Sequence, residues 1–198
     1  MSLTNSTIEK KKQKKKHKGI IIAAVVIALI VISALGFSIS QKTKESEYYL
    51  NMEHVSYTML DGAAKAENAG NLIKSVWYNA IYEERETETD KYTMKDGKFV
   101  DDFNDALSNL FADENFDNSI SEIESNQSEV IDLMKKLKNP PKKYEEAYAV
   151  LKTYYDNYIQ ITKLVISPTG SLQTFSEDFN TYDSDTVNSF EKMKLYLD

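Results

Sequence analysis

The chain has 198 residues, 41% of them hydrophobic and 28% charged, with a net charge of −7, two histidines and no cysteine. That is enough apolar material for a packed core of ordinary size, and it excludes a chain disordered throughout. The missing cysteine excludes disulfides, thiolate metal centres, cysteine nucleophiles and a cysteine-linked lipid anchor.

Charge is unevenly distributed. Residues 1–18 carry Lys10, Lys11, Lys12, Lys14, Lys15, Lys16 and Lys18 against one acid, Glu9. Seven positive charges less one leave +6 there, so the remainder of the chain carries −13. No charge then occurs between Lys18 and Lys42, and Gly19–Ile39 reads GIIIAAVVIALIVISALGFSI. As a helix these residues reach about 32 Å, enough to cross a bilayer. Each lysine at mid-membrane costs about 3 kcal/mol, which sets sharp ends to the span, and the positive-inside rule places 1–18 in the cytoplasm. The sequence thus predicts a cytoplasmic tail (1–18), a transmembrane signal-anchor (19–39) and an extracytoplasmic domain (40–198) at the plasma membrane. The rival is a cleaved signal peptide, for which Ala34-Leu35-Gly36 offers small residues, but the apolar run is longer than such peptides use. Beside a span, the lysines read as topogenic and lipid-facing, with no nucleic acid called for.

Beyond residue 40 an apolar repeat with steps of three and four predicts helices of a left-handed bundle. The first, over about 40–88, runs through Tyr49, Met52, Ser56, Met59, Ala63, Ala66, Gly70, Ile73, Trp77 and Ala80. Its small middle residues invite close approach of another backbone. Lys91–Val100 contains the turn signal Asp96-Gly97 but reads as a plain loop. The second helix, about 99–138, shows Phe103, Ala106, Leu107, Leu110 and Phe111, then Phe116, Ile120, Ile123, Gln127, Val130, Met134 and Leu137. Asn139-Pro140-Pro141 stops it and opens the third, 141–166, with Tyr144, Tyr148, Leu151, Tyr155, Tyr158, Thr162 and Val165 in register. Ser167-Pro168-Thr169-Gly170 breaks the chain again. The fourth segment, 171–197, shifts phase at Asp183-Ser184-Asp185 and reads as one kinked helix or two short ones. The expected fold is all-α, an elongated antiparallel bundle of three to four helices after the membrane span.

Chemistry is sparse. His54 is the histidine outside the lysine-rich tail, and no glycine-flanked serine, phosphate-binding loop or zinc-helix motif accompanies it. An enzyme reading would need Asp101, Asp102 and Asp105 to converge, and no enzymatic activity or cofactor is expected. Asp113, Asn115, Asp117 and Glu124 stand at positions 1, 3, 5 and 12 of an EF-hand calcium loop. Asn118 occupies the place of its glycine, however, and the alternative makes Phe116, Ile120 and Ile123 core positions of one helix with an acidic outer face. Tyr144, Tyr148, Tyr154, Tyr155 and Tyr158 form a cluster at helical spacing, either core packing or a surface for a partner or glycan. Trp77 falls in the apolar stripe.

The stretch Asn139-Pro140-Pro141-Lys142-Lys143-Tyr144 with Leu151, Tyr155 and Tyr158, followed by Ser167-Pro168-Thr169-Gly170-Ser171-Leu172, resembles membrane-anchored or lipid-anchored helical proteins exported by low-GC Gram-positive bacteria. The resemblance covers roughly 139–175 and implies location and fold. The leading expectation is a non-catalytic interaction or spacer module at the cell envelope with a protein partner there. The alternatives are a ligand-sensing ectodomain that signals through a partner membrane protein, and a calcium-dependent envelope protein.

Overall fold

The structure, a computed structural model, describes residues 42–197 in full and residues 3–41 by their helical backbone alone. The expected span over 19–39 and the lysine cluster before it lie outside the fully described residues. Among the described residues no helix is long and apolar enough to cross a membrane. The chain divides into two compact units, Met1–Glu47 and Tyr48–Asp198, and the second carries the architecture described below.

The expected all-α class is observed. The elements are α1 (Leu3–Tyr82), α2 (Asp90–Thr93), β1 (Met94–Lys95), β2 (Lys98–Phe99), α3 (Phe103–Phe111), α4 (Glu114–Lys136), a single 3-10 turn (Lys142–Tyr144), α5 (Glu145–Ile166) and α6 (Leu172–Lys194). The buried residues form two layers that define the topology. In one, Met52, Val55 and Met59 of α1 meet Val130–Leu137 at the end of α4, Leu151 and Tyr154 at the start of α5, and Phe190 and Met193 at the end of α6. In the other, Ile73, Val76 and Trp77 of α1 meet Phe116–Ile123 at the start of α4, Ile161 and Val165 late in α5, and Phe175 and Phe179 early in α6. Successive long helices therefore alternate in direction, an up-down-up-down four-helix bundle. The small elements α2, β1, β2 and α3 bridge α1 and α4 at the Trp77 end, where Tyr92, Ala106 and Leu110 join the second layer.

The first stripe is realised closely: Met52, Ser56, Met59, Ala66 and Ile73 are fully buried and Trp77 nearly so. Gly62 and Gly70 are there because neighbouring side chains occupy the space of a Cβ. At Gly62 it would press on the Asn126 amide, with Cγ at 2.7 Å, and at Gly70 on the Phe179 ring, with Cζ at 2.6 Å.

Four local expectations are corrected. α1 ends at Tyr82, six residues early, because Glu83 takes the left-handed conformation (φ 52°) and the Glu84 N–H donates to the Asn79 carbonyl at 3.1 Å. This is a Schellman stop without the glycine that usually marks it. Second, the loop over 91–100 contains a two-residue hairpin, with Met94 opposite Phe99. Asp96 and Gly97 both have positive φ (53° and 78°), the geometry that Asp-Gly favours. Third, the second predicted helix is two helices, each begun by an aspartate. The Asp102 carboxylate accepts from the Asn104 N–H at 2.8 Å and that of Asp113 from the Phe116 N–H at 3.2 Å. Fourth, α6 is one unbroken helix. Its phase shift is absorbed by Thr186 and Ser189, which bury themselves by donating to their own helix at the Tyr182 and Asp185 carbonyls (2.6 and 2.7 Å).

Candidate functional site

The tyrosine cluster does not present one surface. In α5 the buried row is Ala147, Leu151, Tyr154, Tyr158, Ile161, Thr162 and Val165; Leu151, Tyr158, Thr162 and Val165 stand as expected from sequence, whereas Ala147, Tyr154 and Ile161 are buried in addition and Tyr144, Tyr148 and Tyr155 lie at the edge. Tyr154 and Tyr158 are wholly buried, and Tyr144, Tyr148 and Tyr155 are half-buried at the flank. Their hydroxyls are committed to structure. Tyr158 donates to Asn126 Oδ1 at 2.6 Å, and Tyr154 donates to the Ser56 carbonyl at 3.4 Å. Asn126 in turn donates from Nδ2 to the Thr58 carbonyl at 3.0 Å. One helical step on, Gln127 Nε2 donates to Thr162 Oγ1 at 2.8 Å. These bonds build a polar layer between α1, α4 and α5, packed against Gly62. Burial pushes the Tyr154 and Tyr158 hydroxyls well above the ordinary tyrosine range near 10.

A second aromatic group closes the opposite end. Tyr48 stacks on Tyr144 with ring centres 5.5 Å apart and donates to the Leu137 carbonyl at 3.0 Å. Tyr49 donates to the Leu197 carbonyl at 2.6 Å, and Tyr196 to Glu146 at 3.1 Å. These contacts tie the ends of α4, α5 and α6 to α1.

The residues with EF-hand spacing are not gathered round one point. Asp113 caps α4 and pairs with Lys91 at 2.9 Å, which holds its carboxyl below the usual range, while Asn115, Asp117 and Glu124 ride on the helix itself. At 1.5 Å per residue, Asp113 and Glu124 stand about 16 Å apart along its axis, too far to share an ion. The alternative reading of that segment, with Phe116, Ile120 and Ile123 in the core, is the one the structure shows. Among the described residues no group of three His, Asp or Glu side chains is placed to hold a metal.

His54 is exposed on α1 and lies 3.9 Å from Glu129. Asp101, Asp102 and Asp105 are exposed, Asp102 serving as the α3 cap, and Asp101 and Asp105 border an open depression of about 620 Å³ with Lys95 and Lys98. The better-formed groove, about 360 Å³, lies between α1 and α4 and is lined by Lys65, Asn68, Leu72, Phe116, Ser119 and Glu122 among others. Lys65 is held there by Asp61 at 3.2 Å and Glu122 at 3.1 Å, and these acids keep its ammonium above the usual lysine range. Trp77 packs between Phe103 and Phe175, and its indole N–H is the buried side-chain polar atom that lacks a partner among the described residues.

Sequence reasoning passed over two features. Asn126 looked like one of many polar residues of α4, and only the bundle reveals it as the hub of a buried layer. The outward face of α1 was not read at all, although Leu50, Tyr57, Tyr78, Ile81 and Tyr82 make up five of the eight large hydrophobic side chains that are exposed among the described residues. The same three-four counting that finds the core, started on the opposite phase, finds Leu50, Tyr57, Tyr78 and Tyr82, with Ile81 beside them.

No protein-family model matches the chain, and neither a curated protein nor a solved structure is similar to it.

Proposed function

We propose that the chain is a single-pass membrane protein whose extracytoplasmic helical bundle is a non-catalytic interaction or spacer module at a bacterial cell envelope. The observation that carries this reading is the uncharged run between Lys18 and Lys42, preceded by seven lysines and followed by a domain of opposite charge. The bundle is suited to the task. Among its buried polar side chains, Asn126, Thr162 and Ser189 bond across helices, Ser56 and Thr186 donate to carbonyls of their own helix, and the acids in its surface ion pairs are paired with lysines, Arg85 or His54.

The groove between α1 and α4 supports a second reading, a ligand-sensing ectodomain coupled to a partner membrane protein. Its 360 Å³ is within the range of small-molecule sites, and Lys65 and Glu122 offer both signs of charge.

The test is fractionation of bacterial cells producing the full chain. The expected result is that the protein stays with membranes through alkaline carbonate washing. Protease added to intact spheroplasts then removes the bundle and spares the lysine-rich tail. Recovery of the intact chain in the soluble fraction overturns the reading.

A further inference from the structure

We propose that the outward face of α1 is a dimerisation surface at which a second copy of this chain pairs in parallel. From Leu50 the outward positions recur in alternating steps of four and three: Leu50, His54, Tyr57, Asp61, Ala64, Asn68, Asn71, Ser75, Tyr78 and Tyr82. All are exposed except Ser75, which is half-buried. This is the repeat that a left-handed pair of helices needs, and it lies on the face opposite the one already used by the bundle core.

Charge separates this face from the others. Asp61 is the one Asp, Glu, Lys or Arg in the row and Glu67 is exposed beside it, whereas the outer face of α4 carries Glu114, Asp117, Glu122, Glu124, Glu129 and Asp132. Large apolar side chains stand at both ends of the row: Leu50 is 58% exposed, Tyr57 49%, Tyr78 48% and Tyr82 59%. Tyr78 and Tyr82 pack against each other with ring centres 4.5 Å apart and planes tilted by 41°, forming one aromatic patch. The middle is small or amidic. Ala64 and Ser75 permit close approach, and Asn68 and Asn71 each carry both donor and acceptor, so each is complementary to its own mate across a two-fold axis. An asparagine in such a seam favours one register at some cost in stability. The one poor self-contact, Asp61, brings its own counter-ion in Lys65 at 3.2 Å.

The extent of the surface matches a weak dimer. From Leu50 to Tyr82 the row is about 48 Å long, and with a helix about 10 Å wide two copies cover on the order of 1,000 Å², the low end for a specific interface. Confinement of both copies to one bilayer would raise their effective concentration and impose a common direction, a clause that rests on the anchored reading proposed above.

The chain lacks cysteine, so introduced thiols report cleanly. Single-cysteine full-length variants Ala64→Cys and Asn71→Cys are treated with a short bis-maleimide in membranes, beside Ser125→Cys on the outer face of α4. The expected result is a covalent dimer from each α1 variant, at least about tenfold above that from Ser125→Cys, and a loss of about tenfold when Ala64→Lys is added to Asn71→Cys. Unchanged Trp77 emission shows that the bundle remains folded. Equal yields at all three positions overturn the proposal. So does efficient crosslinking between mixed Ala64→Cys and Asn68→Cys copies with none of Ala64→Cys to itself, which is the antiparallel arrangement. Failure to crosslink in protein that still fractionates with membranes refutes the dimer alone, and a chain found in the soluble fraction refutes the anchor alone.

Discussion

Replacing Gly70 by alanine sets two opposed effects against each other, and the packing decides the sign. In a helix interior alanine is favoured over glycine by about 1 kcal/mol. Against this, the new methyl would lie on the edge of the Phe179 ring, with Cδ2 at 2.7 Å and Cζ at 2.6 Å. The ring has little room to yield: Phe179 is 2% exposed, stacks on Phe175 at 6.0 Å and lies beneath the Lys74 ammonium at 5.1 Å. Overpacking of this kind costs about 1–3 kcal/mol, and the steric demand here belongs at the upper part of that range. The net expectation is a destabilisation of about 1–2 kcal/mol, or about 2–8 °C in melting temperature for a domain of this size. Thermal melts of the detergent-solubilised full chain, followed by circular dichroism and Trp77 fluorescence, measure it. Phe179→Leu makes room, so adding it to Gly70→Ala should cost less than adding it to the parent, with a coupling of about 1 kcal/mol. A Gly70→Ala protein as stable as the parent, with no coupling to position 179, would refute the close approach of α1 and α6.

The polar layer makes a companion prediction: Tyr158→Phe strands Asn126 Oδ1 in a buried site and should lower stability by about 1–3 kcal/mol in the same melts. The buried tyrosines give the bundle an alkaline limit. Because Tyr154 and Tyr158 titrate above the unfolded value near 10, the folded state holds their protons longer, so stability is unaffected below pH 10 and declines as pH rises beyond it. Tyrosinate absorbance and ellipticity should therefore change together, and Tyr154→Phe should soften the decline. Millimolar calcium should leave the melting temperature unchanged, since Asp113 and Glu124 lie apart along α4. A calcium-induced rise of several degrees would restore the loop reading.

The order of the long helices and the core stripe of α1 were legible because an amphipathic helix writes its buried face as a period, and Met52 through Ala80 keep that period without a break. The ends were harder. Glu83 stops α1 in a conformation that glycine would have announced, so nothing before the charged run behind it marked the end. Asp102 and Asp113 did carry the cap signal, but an apolar pattern running across residues 99–138 outweighed it. In α5 the abundance of tyrosine blurred the phase, because the half-buried Tyr144, Tyr148 and Tyr155 keep a three-four spacing that leads to the buried Tyr158, as does the buried row through Ala147, Leu151 and Tyr154. Of the candidate sites, little was readable in advance. The acids with calcium-loop spacing arise from a solvated helix face, and the hub Asn126 acquires its role only from Thr58 and Tyr158, residues 68 and 32 positions away.

Thiol accessibility decides whether the lysine-rich tail and the bundle lie on opposite sides of a membrane. Single cysteines at Ser6 and Ser125 in the full chain are exposed, in intact cells and after lysis, to a maleimide that does not cross membranes. The account predicts that Ser125→Cys is labelled in intact cells and Ser6→Cys only after lysis. Labelling of Ser6→Cys in intact cells, or protection of Ser125→Cys until lysis, would contradict it.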